Sequence, residues 1–468
     1  MNNENNKKRY AFLCAMTVML TFALIIISIY QTGVIRGVNP VVDKKREALL
    51  AEQYMNTNTE GTFYDRNGAR LTAVKGAGKS AVLLYPESYS YIIGTRNSNN
   101  ICSGLRDTLK TELYDIKKGH DGIGADVTLT IDTGLQRLAS ELLKGHTGSI
   151  NVIDADTGEI LCLASRGSPN LTLNANELSK NYSKYAAIKD FFNNRSTLSS
   201  HASGSTIKIL TSIAILENKI EQKYVVENPY ETPLGSAIKN FSNGYIGHEV
   251  DLQKALNESI NTYFATRAIL AGLETMNKIA ERFGIGETIE LDFTTLTSNY
   301  NVTGNDPTFE LGSTWYGQGQ TTISPLQMTM IMSSIMNDQK DMLKPYLISE
   351  IANEGKTVYK GKSEIFKKNV IESSIKRELT KLLNNTAVQK YGFPQKKKDT
   401  YGTVIAKTGT CEINNKTQNH VYLLIGYSFK EKNYAICVDW TDVSRNTYGS
   451  VLIPTAKEII SYINSTSV

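Results

Sequence analysis

Cysteine is scarce in this 468-residue chain: five residues, at 14, 102, 162, 411 and 437, are too few and too scattered for a disulfide framework. A block of basic residues is lacking as well. The formal net charge of +5 is mild and spread along the chain, which excludes the concentrated positive face that grips nucleic acid. Long apolar runs are missing after residue 30, so everything beyond that point lies on one side of any membrane. A chain of this length suits two or three folded units with ample sequence for a large core.

One long apolar run is present. Residues 11–29 carry no charge, and at about 1.5 Å per residue they span roughly the hydrocarbon thickness of a bilayer. A buried core helix would be less uniformly apolar and would not be bounded by Lys7-Lys8-Arg9. A cleaved signal peptide would have a shorter apolar region followed by a small-x-small site. We therefore expect an uncleaved single-pass anchor over residues 10–30, after a short tail of residues 1–9. Cations flank it on both sides, with Arg36, Lys44, Lys45 and Arg46 following, so charge alone leaves its orientation open.

Residues 31–145 are mixed and irregular. The run Glu60-Gly61-Thr62-Phe63-Tyr64-Asp65-Arg66-Asn67-Gly68 reads as a strand and an Asn-Gly turn, residues 126–132 alternate as a strand, and an amphipathic helix starts at Thr133. Nothing in this region pairs a nucleophile with a base, and a non-catalytic stem is expected. Residues 148–165 then form the clearest hairpin in the chain, two apolar strands around an Asp-x-x-Thr-Gly turn. Comparable strands return at 402–407, 420–429 and 434–440, followed by a helix over 454–463 with proline in its first turn. The intervening region, about 206–383, is mainly helical. The economical architecture for residues 146–468 is α+β: one antiparallel sheet assembled from both ends of the segment, with the helices as a second lobe.

Ser203-Gly204-Ser205-Thr206-Ile207-Lys208 opens a run that is apolar on nearly every face, as a buried helix would be. Ser205 and Lys208, three apart, share one face of its first turn. A desolvated amine loses its preference for the charged form and can take a hydroxyl proton, and a helix N-terminus favours developing negative charge. The motif alone is weak, because Ser373-Ser374-Ile375-Lys376 has the same spacing. Partners strengthen it: Ser259-Ile260-Asn261 lies between two helical stretches, and Lys407-Thr408-Gly409-Thr410 closes an expected strand.

This ordered trio of Ser-x-x-Lys, Ser-x-Asn and Lys-Thr-Gly resembles the signature of penicillin-binding proteins and serine β-lactamases. Asn194-Arg195-Ser196, Tyr316-Gly317-Gln318-Gly319, Ser324-Pro325-Leu326-Gln327 and the Tyr64-Asp65-Arg66-Asn67-Gly68 box extend the resemblance to the class B, monofunctional members with a short stem. The resemblance implies a five-stranded antiparallel sheet with a helical lobe and a peptidoglycan D,D-transpeptidase activity. Ser205 would attack D-Ala-D-Ala with Lys208 as base. Ser259 and Lys407 would relay the proton, Asn261 would orient the substrate amide, and the Ser205 and Thr410 N–H groups would form the oxyanion hole. Thr408 and Thr410 would hold the substrate carboxylate, with Gly409 keeping the strand edge open. It further implies acylation by β-lactams, a catalytic part outside the cytoplasmic membrane and a SEDS-type glycan polymerase as partner.

Three departures stand out. Ser203 replaces the usual proline before Gly-Ser, Glu60 replaces a common arginine, and Cys411 replaces a common alanine. Cys411 reads as a small buried residue; if residues 411–420 form a hairpin, His420 lies across from it and the two become candidate zinc ligands. No cofactor is otherwise required. The rival readings are a β-lactamase, a β-lactam sensor and a non-catalytic scaffold of the wall machinery. A class A lactamase would need a Glu-x-x-Leu-Asn segment between Asn261 and Lys407, and there is none.

Overall fold

The computed structural model describes residues 16–17, 19–21, 49, 52–115, 122–397, 400–413 and 418–466. The expected tail and anchor lie almost wholly outside them. Among the described residues no helix is long and apolar enough to cross a membrane.

Strand β1 (Phe63–Tyr64) runs parallel to β2 (Asp126–Leu129), with Phe63 opposite Val127. Helix α1 (Thr133–Leu142) starts where Asp132 accepts a 2.8 Å hydrogen bond from the Leu135 N–H. The hairpin β3 (Thr147–Asp154) and β4 (Ile160–Arg166) follows as expected. Helices α2 (Lys208–Glu217), α3 (Leu252–Glu258), α4 (Asn261–Ala271), α5 (Pro307–Tyr316) and α6 (Pro325–Met336) form the helical lobe. Strands β5 (Ile348–Asn353) and β6 (Lys356–Lys360) then return to join β1 and β2 in a four-stranded sheet of order β1-β2-β5-β6. The pair β1 and β2 is thus completed by two strands from beyond residue 146.

Glu60 makes a buried ion pair with Arg106 at 2.8 Å and also accepts from the Tyr114 hydroxyl and the Ala81 N–H, each at 2.9 Å. Its remaining lone pairs are satisfied, which is the condition under which a buried charge pair persists.

Helix α7 (Ser373–Tyr391) precedes β7 (Thr403–Ile413), β8 (Gln418–Phe429) and β9 (Lys432–Ser444), and α8 (Ile453–Thr466) comes last. The main sheet is antiparallel throughout, in the order β7-β8-β9-β3-β4. Side chains alternate across it with period two. Val404, Val421, Leu423, Ile436 and Ile150 pack with Leu135, Ala139, Ile459 and Ile463 of α1 and α8. Ile405, Leu424, Cys437 and Leu163 meet Ile209 and Ile213 of α2 and Met328 and Met332 of α6. Every residue of α6 is buried, as is every residue of α2 from Lys208 to Leu216, which is why neither has a polar stripe.

Two expectations need correction. The C-terminal strands run past their expected ends, and Lys407-Thr408-Gly409-Thr410 sits inside β7 rather than closing it. The polar run interrupts the hydrophobic pattern without interrupting the pairing, which continues to Ile413 opposite Gln418. The segment read as a helix from Ser205 begins as a single 3₁₀ turn, Gly204–Ile207, and becomes α-helical only at Lys208. Because residues three apart eclipse in a 3₁₀ turn, Ser205 and Lys208 still share a face.

Candidate active site

Gly204 sets the turn that carries Ser205. Its φ of +55° lies in the left-handed region, and a Cβ there would meet the Thr410 nitrogen at 2.6 Å. Gly317, with φ +111°, presses on the other side, where a Cβ would meet the Gly204 oxygen at 1.9 Å. Gly409 permits the same approach from β7: a Cβ there would lie 2.8 Å from the Ser203 oxygen. Three glycines therefore wedge the Ser205 turn against the open edge of the sheet, and Ser205 itself remains half-buried.

Lys208 is fully buried and donates to the Ser259 carbonyl at 2.8 Å, Asn261 Oδ1 at 2.7 Å and Ser259 Oγ at 3.1 Å. Its ammonium also lies 5.3 Å from the Phe264 ring centre. Burial first, and the charge of Lys407 second, push its pKa well below the ordinary lysine value. Lys407 is equally buried and reaches the same Ser259 Oγ at 3.0 Å. Ser259 is held at the end of α3 in left-handed backbone, φ +53°. Asn261 donates its amide to the Lys239 carbonyl at 2.9 Å, which fixes which way its oxygen points.

Among the described hydrogen bonds none joins Ser205 to Lys208. The amine is occupied by Ser259 and Asn261 while Ser205 stands half-buried beside it, a loose arrangement common in unliganded sites. Thr408 and Thr410 stand half-buried on one face of β7, and Thr410 Oγ1 accepts from the Gly449 N–H at 3.1 Å. Two contacts were not visible in the sequence. Tyr391, at the end of α7, lies 3.0 Å from Thr408 Oγ1, and Gly449 lies beside Gly409. A tyrosine ending a helix and a glycine after the last strand carry no local signal of such meetings.

The duplicate Ser373-x-x-Lys376 is structural. Lys376 caps the C-terminal end of α6, donating to Asn337 Oδ1 at 3.1 Å and to the Gln339 carbonyl at 2.9 Å. Cys411 and His420 are direct cross-strand partners, and the His420 ring lies against that of His201, with centres 3.7 Å apart and planes tilted by 47°. Burial pushes the Cys411 thiol up to about 12 and the His420 pKa well below its ordinary value. Among the described residues no group of three or more His, Cys, Asp or Glu side chains converges as a metal site.

Residues 148–461 match the family described as the penicillin binding protein transpeptidase domain. The chain belongs to that family. As a class B penicillin-binding protein it is 24% identical to the peptidoglycan D,D-transpeptidase PbpA of Mycolicibacterium smegmatis, over 96% of this chain and 97% of the relative. It is 26% identical to penicillin-binding protein 3 of Bacillus subtilis over 70% of this chain, and 27% identical to the D,D-transpeptidase MrdA of Acinetobacter baumannii over 72%. The chain spans about half the length of these two, 49% and 54%. Penicillin-binding protein A from M. tuberculosis, solved as a penicillin G acyl-enzyme complex, shares the fold with a TM-score of 0.75 at 20% identity, covering 86% of this chain and 99% of that one.

Proposed function

We propose that the chain is a peptidoglycan D,D-transpeptidase that works through a serine acyl-enzyme on Ser205. The observation that carries this is the convergence of Lys208 and Lys407 on the Ser259 hydroxyl, beside a sheet edge whose Thr410 N–H stands next to the nucleophile turn.

Neutral Lys208 takes the Ser205 proton as Oγ bonds to the penultimate D-Ala carbonyl carbon. The oxyanion that forms meets the Ser205 and Thr410 N–H groups, each such donor contributing about 3 kcal/mol in acyl transfer. The proton passes from Lys208 through Ser259, with Lys407 holding that hydroxyl, to the nitrogen of the departing D-Ala, and the C–N bond breaks. The amine of a neighbouring stem peptide then attacks the acyl carbon, the C–O bond breaks, and Ser205 regains its proton. Asn261 orients the substrate amide, while Thr408 and Thr410 bind the terminal carboxylate. A β-lactam carries the same carboxylate and a strained amide, and it acylates Ser205.

The same reading places residues 10–30 in the cytoplasmic membrane as a single-pass anchor, residues 1–9 inside, a stem over 31–145 and the transpeptidase part, 146–468, outside. A SEDS-type polymerase supplying glycan strands is the partner it implies. The test is labelled penicillin incubated with the detergent-solubilised full chain and with Ser205→Ala. A long-lived adduct on the parent alone is expected. Rapid turnover of the adduct would indicate a β-lactamase instead, and absence of any adduct a scaffold.

A further inference from the structure

We propose that Tyr391 is a positioning residue for carboxylate recognition, fixing the Thr408 hydroxyl as a hydrogen-bond donor and closing one side of the β7 edge. The inference rests on the reading of Thr408 and Thr410 as the carboxylate-binding pair.

Tyr391 is the last residue of α7, and Gly392 follows in left-handed backbone, φ +63°, turning the chain away and leaving the phenol lying along β7. Its hydroxyl meets three polar atoms: the Thr408 nitrogen at 3.2 Å, Thr408 Oγ1 at 3.0 Å and Lys407 Nζ at 3.5 Å. A phenol has one proton to give and an oxygen that accepts. The Thr408 N–H can only donate to that oxygen, and Lys407 donates to it from slightly farther away. Of the three neighbours, Thr408 Oγ1 is the one that can take the Tyr391 proton. With Oγ1 accepting, the proton of the Thr408 hydroxyl is left to point outward.

Thr410 is prepared in the same way. Its Oγ1 accepts from the Gly449 N–H, so its own proton is also free. Two hydroxyls on one strand face, each already accepting from the protein, present two donors and call for an anionic ligand with two acceptor oxygens.

The backbone edge points to the same conclusion. The N–H groups of Thr408, Thr410 and Glu412 all face away from β8, because alternate residues of a strand do. Tyr391 covers the first, and Gln318 Oε1 covers the third at 3.4 Å. Among the described hydrogen bonds none engages the Thr410 N–H. An extended ligand can therefore add to this edge in a single register.

The test compares full-chain wild type, Tyr391→Phe, Thr408→Val and the double variant in Ser205 acylation by penicillin G and by its neutral methyl ester. Losing the hydrogen bond that fixes the Thr408 hydroxyl should slow Tyr391→Phe with penicillin G by about two- to tenfold, with the melting temperature and the ester rate little changed. The double variant should fall no further than Thr408→Val alone, since coupled residues are not additive. Equal slowing with both probes, or additive losses, would overturn the proposal. Absence of any Ser205 adduct on wild type with either probe would instead overturn the reading beneath it.

Discussion

Ser259 Oγ lies between two buried lysines, and two full positive charges on one hydroxyl in a dry site repel. Lys208 yields, its pKa driven down by burial and by the charge of Lys407. Acylation should therefore rise with pH and level off at an inflection well below the ordinary lysine pKa, read from the rate of penicillin labelling. An inflection at the ordinary value would remove Lys208 as the base. Arginine at this position keeps the charge and cannot deprotonate, so Lys208→Arg should slow acylation by roughly 10² to 10⁴, the usual contribution of general-base catalysis.

At the level of elements, the Ser203 turn is better prepared than its sequence suggests. Ser203 has φ −73°, inside the range a proline ring enforces, and no described hydrogen bond uses its N–H. Its carbonyl instead anchors the turn by accepting from the Thr206 hydroxyl at 2.6 Å. Ser203→Pro should leave penicillin acylation intact and raise stability in thermal melts by about 0.5 kcal/mol, through the unfolded state. The hairpin of β3 and β4 and the helices α2 to α4 were legible because their period and turn residues are local. The true length of β7, the 3₁₀ start before α2 and the contact of Tyr391 with Thr408 were not, since each depends on backbone approaching from a distant part of the chain. The trio of motifs was legible for a different reason: its chemistry restricts residue type at each position, whatever the local conformation.

For the molecule as a whole, the main sheet carries a buried carboxyl as well as the open β7 edge. Asp439 on β9 accepts from the Ser149 hydroxyl, has one oxygen without a partner, and is pushed up to about 7 by burial. Its folded-state pKa is above the unfolded one, so it stabilises the fold while protonated, and that contribution is lost as pH rises through about 7. Asp439→Asn should abolish this loss: melts between about pH 5 and pH 8 should show wild type falling relative to the variant. A parallel fall in both would assign the proton elsewhere. The order β7-β8-β9-β3-β4 also sets a clock. Ser205 emerges early in synthesis, but the Thr410 N–H that completes its site follows 205 residues later, which at ribosomal speed is about 10 to 40 seconds. On the proposed mechanism, the nascent chain has only one of its two oxyanion donors, the Ser205 N–H, until β9 pairs with β3 and β8 brings β7 alongside.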